Sequence, residues 1–279
     1  QRKTVFFNNQ GILFILLYFC TIERQKEVNR YFIYLAYKGT RYCGWQRQPN
    51  GLSVQQCLEE TLSIILQEYI PVVGAGRTDA GVHARLMVAH FECSVLTGNL
   101  LQLADKLNRM LPDDIAVSKI VAVTESAHAR FDAVSRTYRY YLTDMKNPFD
   151  YEWVCRMPLR DMDFNRMNEA CNVLFDYSDF TSFSKLHTDV KTNRCRIDEA
   201  RWERSGSIWV FTIRADRFLR NMVRAIVGTL WDVGRSKITV EGFRRIIEAK
   251  DRCKAGMSVP AGGLALVDIE YPDYLFLNI

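Results

Sequence analysis

Hydrophobic and polar positions recur along the chain with two spacings, one typical of strands and the other of helices. Residues 31–37 are almost all aromatic or aliphatic, as in a buried strand. From Val54 onward the apolar residues fall on one helical face, with Ser53 placed to cap the helix and Gln56 as its capping-box partner. The pattern therefore predicts a strand and then a helix at the start of a mixed chain.

The same two spacings continue to residue 270 and predict an α+β fold. Helices are predicted over 100–110, 164–175, 218–233 and 240–249, and strands over 86–93, 115–123, 136–143, 196–203, 208–215 and 264–270. We expect two α/β-type lobes with two mainly antiparallel sheets covered by helices. The predicted boundary near residues 131–135 gives an N-terminal domain over 29–132 and a C-terminal domain over 133–279.

Residues 1–28 do not fit this pattern. Arg2 and Lys3 precede an apolar run over 11–22, which resembles an export signal but is shorter than the roughly 20 residues of a bilayer span. Three interpretations stay open: an extension outside the fold, a segment packed on the domain, and a functioning export signal. We favour the extension and leave residues 1–28 out of the fold prediction.

Composition narrows the class of protein. The chain has 279 residues, of which 48% are hydrophobic and 25% charged, as in an ordinary globular protein of about two domains. Disordered, collagen-like and coiled-coil chains are thereby excluded. The 37 lysines and arginines exceed the 32 acidic residues only mildly. This excess indicates a polyanionic partner only if the cations cluster on one surface.

The eight cysteines are scattered along the chain. They form no CxxC pair and no close cluster with histidine, which is the spacing that zinc sites need. We therefore expect reduced thiols, mostly within the core, and no metal site.

The densest group of chemically active residues is the glycine-rich segment 74–83, which reads GAGRTDAGVH. Asp79 stands between two glycine turns, which can hold its carboxylate out at a cleft. Arg77 can bind a phosphate or favour the ionised form of a carboxylate. From the residues alone, an aspartate-capped turn joining two strands is the preferred interpretation. The segment lacks the glycine spacing and the lysine of nucleotide-binding loops.

The string GRTDAGVHA at residues 76–84 resembles the catalytic motif of the tRNA pseudouridine synthase A (TruA) family. Other strings similar to this family occur in the expected order, over residues 37–59, 129–142, 179–185, 217–234 and 260–273. The resemblance covers residues 30–273, nearly the whole chain beyond the predicted extension. It implies the TruA-like fold, with two lobes flanking a basic active-site cleft.

The resemblance also implies the chemistry. Such enzymes are isomerases that convert uridine to pseudouridine in the anticodon stem and loop of tRNA, at tRNA positions 38, 39 and 40. The N1–C1′ bond breaks, the base rotates, and C5 bonds to C1′. Because no oxidation state changes and no water enters the product, we expect no cofactor and no metal. By the resemblance Asp79 is the nucleophile; attack on the sugar, attack on the base and a glycal route all stay open.

Two further residues match motifs of the family. Tyr138 matches the first tyrosine of an R-x-Y-R-Y strand and is expected to stack on the target base, where its phenol can also relay a proton. Arg224 matches the arginine expected to pair with the catalytic aspartate and keep it ionised. Without the resemblance, Tyr138 would be interpreted as a packed strand residue and Arg224 as an exposed charge.

Clusters of cations and aromatic residues predict the RNA-binding surface. Besides the base-stacking tyrosine, the expected substrate contacts are Arg41, Arg77, Arg136 and Arg217, since arginines supply phosphate contacts. A polar, basic stretch over 185–196 is expected to form a loop over the cleft. The alternative for each cation is an ordinary solvated charge, and no histidine is assigned to catalysis.

The resemblance further implies a cytoplasmic homodimer in which tRNA reaches across both subunits, with no membrane partner. Two alternative functions also involve RNA binding: a synthase of changed RNA specificity, and a catalytically silent RNA-binding module. A glycoside hydrolase would need two carboxylates about 5–10 Å apart. The glycine-rich loop offers only Asp79, and Glu92, the nearest other acid in sequence, falls on the following strand.

Overall fold

The structure, a computed structural model, describes residues 29–94, 99–185 and 192–277. The predicted extension over 1–28 and part of the predicted loop over 185–196 therefore lie outside the described residues. Across the described ranges, no helix combines the length and the apolar character needed to cross a membrane.

Nine strands form one mixed sheet in the described part of the chain. They are β1 (Asn29–Tyr37), β2 (Val72–Gly74), β3 (His83–Cys93), β4 (Ile115–Val123), β5 (Ser135–Thr143), β6 (Cys155–Arg156), β7 (Ile197–Ser205), β8 (Ile208–Ala215) and β9 (Leu264–Glu270). The order across the sheet is β4-β1-β3-β9-β5-β8-β7, with β2 paired to β3 and β6 paired to β5. Only β3 with β9 and β5 with β6 run parallel.

Five α-helices accompany the strands within the described ranges. They are α1 (Val54–Leu66), α2 (Leu100–Met110), α3 (Phe164–Val173), α4 (Met222–Gly234) and α5 (Val240–Glu248). Helices α1 and α2 contact each other beside β2 and β4, whereas α3, α4 and α5 contact one another near β7. The predicted α+β class with mainly antiparallel strands is confirmed.

The two sheets expected from the sequence are joined into one at a seam formed by β3 and β9. His83 lies opposite Ala265, and Ala84 lies opposite Leu266, in parallel register. On its other side β9 pairs antiparallel with β5, so both parts of the chain share one hydrogen-bonded sheet. A join between residues this far apart in sequence leaves no local pattern. The division of the chain at residues 132 and 133 stays a prediction.

Local signals account for most element ends. The Ser53 hydroxyl accepts the backbone N–H of Gln56 at 3.2 Å, so the predicted N-cap of α1 is confirmed. Helix α4 begins at Met222 and not at residue 218, because Asn221 adopts a left-handed backbone with φ of 66° that interrupts the helix. Residues ahead of α4 are thereby released into a loop that reaches the candidate site.

Two neighbouring tyrosines of β5 show how the faces of the sheet differ, since successive strand residues point to opposite faces. Tyr140 is fully buried in the main core and meets Trp231 of α4 edge-on at 6.0 Å. Tyr141 belongs to a much smaller cluster on the other face, together with Val154 and Ala265. The helices therefore cover one face of the C-terminal strands far more completely than the other.

After β9 the chain returns to the N-terminal strands. The Tyr271 hydroxyl donates to the Ala129 carbonyl at 2.6 Å, and the Leu275 carbonyl accepts the backbone N–H of Thr124 at 2.9 Å. The ring of Tyr271 also lies 5.0 Å from that of Phe32, which is fully buried in β1. The last described residues thus complete the core around the first strand.

The glycine-rich segment 74–83 is held by a second loop, residues 38–45. Backbone N–H groups of Trp45 and Gly81 donate to carbonyls across the two loops, at 3.3 Å to Thr78 and 3.4 Å to Tyr42. Gly44 allows this approach with φ of 95°, and a Cβ there would lie 2.3 Å from the Thr78 carbonyl oxygen. The two loops therefore form one rigid unit.

We expect Gly44→Ala to destabilise the protein by about 3 kcal/mol or more. A positive φ costs a side chain about 1–2 kcal/mol, and the backbone clash adds to this cost. Urea unfolding would measure the effect. The matched control is Gly206→Ala: its φ of 61° is also positive, but a Cβ there meets nothing within 4 Å, so the expected loss is about 1 kcal/mol. Equal losses for the two variants would contradict the interlocked loops.

Candidate active site

Asp79 is presented to solvent by a backbone that is fixed on both sides. The Thr78 carbonyl accepts the N–H of Trp45, and the Asp79 carbonyl accepts the N–H of Val82 at 3.1 Å. The buried Thr78 hydroxyl shares a 2.8 Å hydrogen bond with the hydroxyl of Tyr37 in β1. With its backbone held, Asp79 keeps a side chain that is 23% exposed. The segment thus holds a carboxylate at the surface with little freedom.

His83 ties the same unit to the β3–β9 seam. Its Nδ1 accepts the N–H of Gly39 at 3.0 Å, and its Nε2 donates to the Gly262 carbonyl at 3.1 Å. Burial lowers the pKa of His83 below its ordinary value, so the neutral ring that these two bonds require is favoured. His83 has a structural part in the loop and is not directed at the carboxylate.

Two arginines, one in the loop just ahead of α4 and one in its first turn, reach the Asp79 carboxylate. Arg224 Nη1 lies 3.6 Å from Oδ2, and Arg220 Nε lies 3.5 Å from Oδ1. At these distances the contacts are ion pairs, longer than strong hydrogen bonds. The predicted neighbours Asp79 and Arg224 are therefore brought together, with a second cation on the other oxygen.

The two arginines differ in how firmly they are held. Arg224 Nε donates to the Val259 carbonyl at 2.7 Å, the backbone N–H of Val259 donates back to the Arg224 carbonyl, and the Arg224 side chain is only 21% exposed. The Arg220 side chain is 57% exposed. Arg224 is a fixed partner of the carboxylate, whereas Arg220 is free to turn toward a ligand.

Tyr138 lies in β5 with 8% of its surface exposed. Its ring meets Phe218 edge-on at 5.1 Å, just ahead of α4. Burial raises the pKa of Tyr138 to about 12, with a smaller lowering by Arg136 and a smaller raising by Asp79. The phenol is therefore neutral near pH 7. Within the described residues its hydroxyl has no hydrogen-bond partner, which leaves it available to a ligand.

A cleft of about 890 Å³ opens around the carboxylate. Asp79 is the single acid among the described residues that line it. The cations of the lining are Arg47, Arg77, Lys185, Arg220, Arg224 and Arg252, and its uncharged polar side chains include Gln46, Gln48 and Asn221. A strongly cationic cleft with one carboxylate suits a polyanionic ligand that undergoes chemistry at one point.

A second cavity, of about 690 Å³, is lined by charged residues of which several pair with one another. Lys38 pairs with Glu152 at 2.7 Å, and Arg41 Nε pairs with Asp114 at 2.6 Å. The predicted substrate contact Arg41 thus lies in this second cavity and not in the cleft of Asp79. Its contact with RNA stays a prediction.

The other predicted substrate contacts are placed differently. Arg77 is exposed at the rim of the cleft. Arg217 is half-buried, with its backbone N–H bonded to the Asp216 carboxylate at 2.7 Å. Within the predicted loop over 185–196, residues 186–191 lie outside the described ranges. Among the described residues of that loop, Lys185 alone lines the cleft.

Arg136 differs from the expectation of a surface contact. It is 9% exposed, and its guanidinium donates to four backbone carbonyls: Ala133 at 2.9 Å, Asp216 at 2.7 Å, Ala75 at 3.1 Å, and Arg130. These bonds join the glycine-rich segment to the ends of β5 and β8. Because the guanidinium is occupied inside the protein, its geometry supports a structural part and not the predicted contact with RNA.

Sequence reasoning missed several residues of the cleft. Arg220 stands in the run of cations that leads into the Arg224 helix, which predicts a contact with RNA, but the sequence does not predict its pairing with Asp79. Arg252 had no sequence signal, because its bonds to the Gly256 carbonyl at 3.1 Å and the Ser258 hydroxyl at 3.0 Å depend on a loop that only the fold brings to α4. Asn221 joins them through a 2.6 Å bond to the same hydroxyl.

In the part of the chain that the structure describes, no group of three or more histidine, cysteine, aspartate or glutamate residues is arranged to hold a metal ion. The cysteines of that part are free thiols, and burial raises the pKa of Cys171 and Cys195 above the ordinary value. Cys43 lines the cleft.

Comparison with known proteins gives consistent matches. A family model described as tRNA pseudouridine synthase matches residues 33–132 and 174–272, more than two thirds of the chain. A protein of Parabacteroides distasonis is 65% identical over 249 residues, covering 89% of this chain and 98% of its own. Relatives from Bacteroides thetaiotaomicron (60% over 252 residues, 89% and 93%) and Porphyromonas gingivalis (58% over 252 residues, 89% and 99%) are similar. All three relatives are named tRNA pseudouridine synthase A.

We expect Arg136→Met to lower the free energy of unfolding by about 3 kcal/mol or more, because it leaves several buried carbonyls without donors. The control is Arg139→Met in the same strand, where the side chain is exposed and the expected change is within about 0.5 kcal/mol. Urea unfolding of both variants gives the comparison. A loss at Arg136 as small as that at Arg139 would show that the buried bonds do not hold the segment.

Proposed function

Because the chain belongs to the tRNA pseudouridine synthase A family, we propose that it isomerises uridine to pseudouridine in the anticodon stem and loop of tRNA. By the family resemblance, the target uridines are those at tRNA positions 38, 39 and 40. The observation that supports this proposal best is the single carboxylate of Asp79, held between two arginines in a strongly cationic cleft.

The reaction needs one carboxylate and a pocket that holds the freed uracil. The N1–C1′ bond breaks, the uracil turns, C5 bonds to C1′, and the proton lost from C5 is balanced by one gained at N1. No electron is transferred and no water is consumed. We assign Asp79 as the nucleophile, because it is the acid that the described lining of the cleft offers. Attack on the sugar, on the base and a glycal route are equally compatible with this geometry.

Arg224 acts through the carboxylate. Its guanidinium places a positive charge 3.6 Å from the Asp79 carboxylate. The Val259 carbonyl holds that guanidinium in place before substrate arrives, so little reorganisation is needed. Arg224 is thus proposed as a positioning residue for the nucleophile.

Tyr138 is proposed to stack on the target base. Its ring is fixed by Phe218, and its neutral phenol adds no charge to the site. A uridine within a stem must leave the helical stack before its glycosidic bond can be reached. The aromatic face of Tyr138 is proposed to compensate for the stacking that the base gives up.

The rim of the cleft is proposed to bind the RNA backbone. Arg77 and Arg220 are exposed there, and both can turn toward phosphates without breaking a buried bond. Arg217, from the cation cluster that the sequence predicts ahead of α4, is proposed as a further substrate contact. Such contacts position the duplex and carry no sequence information of their own.

Two finer expectations belong to the same proposal: a homodimer and a cytoplasmic site of action, where tRNA is processed. The sheet face that carries Tyr141 supports a second copy, because Val210 and Val267 on it stay half-buried in the single chain. Light scattering of the purified chain would give the oligomeric state.

A glycoside hydrolase is disfavoured by the same cleft. That chemistry needs a second carboxylate about 5–10 Å from the first. Glu92, the nearest other acid in sequence, is paired with Arg30 and is absent from the described lining of the cleft. A specificity change within the synthase class, or loss of catalysis, remains an outcome of the experiments below.

Asp79→Asn is expected to abolish pseudouridine formation while tRNA binding stays within about threefold of the unchanged protein. Loss of a nucleophile costs more than about a thousandfold in rate. The measurement is release of tritium from C5-labelled uridine in tRNA. Asp268→Asn, an exposed substitution in β9, is the control and should keep full activity. Turnover by Asp79→Asn above one-thousandth of the unchanged rate would refute the nucleophile, and an inactive unchanged protein would refute the proposed function.

Arg224→Ala and Arg220→Ala are expected to fail at different steps. Arg224→Ala should slow the single-turnover rate at saturating enzyme by about a hundredfold, because the carboxylate loses its fixed partner. Arg220→Ala should instead weaken tRNA binding and reduce its salt dependence by about one ion. Rate measurements beside binding at several salt concentrations separate the two. A normal saturating rate for Arg224→Ala would remove its pairing with Asp79 from the mechanism.

A further inference from the structure

Phe131 is one of several aromatic side chains that lie largely in solvent, with 74% of its surface exposed. Its ring lies against the ring of His128, with centroids 4.2 Å apart and planes inclined by 32°. The guanidinium carbon of Arg130 lies 5.8 Å from the Phe131 ring centroid. One face of the aromatic ring is thus supported from within the protein, and a cation stands at its side.

The turn that carries Phe131 is rigid. His128 Nδ1 accepts the backbone N–H groups of Arg130 at 3.1 Å and Phe131 at 3.3 Å. The Asp132 carboxylate accepts the N–H of His128 at 2.7 Å. On its other side, His128 packs edge-on against His90 of β3 at 4.6 Å. The exposure of Phe131 is therefore built into a well-bonded turn.

The same turn is fastened to the active-site loop. Arg136 donates both to the Arg130 carbonyl and to the Ala75 carbonyl, four residues ahead of Asp79. Arg130 also lies close to Arg77 at the rim of the cleft and to Arg217. Burial lowers the pKa of Arg130, and these two neighbouring cations lower it further. Phe131 accordingly has a fixed position beside the cleft.

The three cations beside Phe131 are not neutralised by the protein. Within the described residues, none of Arg77, Arg130 and Arg217 has a carboxylate at ion-pairing distance. Asp132 and Asp216, which neighbour these arginines in sequence, accept backbone N–H groups. Single exposed apolar residues need no explanation, but a rigid aromatic ring among unpaired arginines has the composition of a nucleic-acid stacking site.

We propose that Phe131 and Arg130 form a platform on which a base of the substrate RNA stacks, next to the uridine that enters the cleft. The proposal rests on the proposed function. When the target uridine leaves the helix, the neighbouring base loses a stacking partner. Phe131 offers that base an aromatic face, and Arg130 offers a charge to the adjacent phosphate. The platform thereby stabilises the opened form of the RNA.

The test measures tRNA affinity of the full chain at several salt concentrations, using an unmodified tRNA transcript. Phe131→Leu keeps an apolar side chain but loses the flat ring, so binding should weaken about five- to 100-fold with the salt slope unchanged. Phe131→Tyr should bind within about twofold of the unchanged protein. Phe149→Leu is the matched control: Phe149 is 89% exposed and lies beyond the far end of β5, so affinity should not change.

Arg130→Gln separates the two parts of the platform. It should lower the salt slope by about one ion, which Phe131→Leu should not do. Affinity of Phe131→Leu equal to that of the unchanged protein would overturn the platform, as would equal losses for Phe131→Leu and Phe149→Leu. A lowered melting temperature of Phe131→Leu with no rescue by Phe131→Tyr would assign the ring a purely structural part. An unchanged protein that binds tRNA and forms pseudouridine shows that such a result concerns the platform alone.

Discussion

The parallel pairing of β3 with β9 is the constraint on which the candidate active site depends. Segments that enter two parallel strands arrive at the same edge of a sheet. The loop with Asp79 enters β3, and the segment with Val259 enters β9. Because the Val259 carbonyl holds Arg224, the pairing of two strands from opposite ends of the chain sets the carboxylate beside its cation. His83 seals the seam by bonding Gly262, 179 residues further along the chain.

Elements that carry their own local signals could be predicted from the sequence. The predicted helix over 100–110 and the predicted strand over 115–123 coincide with α2 and β4, where an asparagine cap and a Leu-Pro stop act within a few residues. Strands β2 and β6 were not predicted, since two or three residues contain too little periodicity. The start of α4 was predicted too early because the left-handed Asn221 is invisible in a hydrophobic pattern.

The candidate site likewise contains residues that the sequence predicts and residues whose partners it does not predict. Family motifs led to Asp79, Tyr138 and Arg224. The structure brings Asp79 and Arg224 together in one cleft, whereas Tyr138 is buried in β5 and is not among the described residues that line that cleft. Charged residues were the weak point, since sequence does not tell a solvated arginine from a buried one. The Arg136 guanidinium donates to four backbone carbonyls of the protein. Arg41 pairs with Asp114, which lies 73 residues away in sequence. In both cases the bonding partner becomes a neighbour only when the chain folds.

The return of the chain to β1 after β9 has a consequence for how the protein is made. Phe32 belongs to the first described strand, yet the rings of Tyr271 and Phe276 pack against it. During synthesis β1 can pair with β3 and β4 early, but the edge of β3 that pairs with β9 stays open until β9 has been made. An apolar strand and an unpaired strand edge are the features that aggregate most readily in nascent chains. Because β9 lies between β3 and β5 and follows both in sequence, the N-terminal and C-terminal strands can join into one sheet only after β9 has been made.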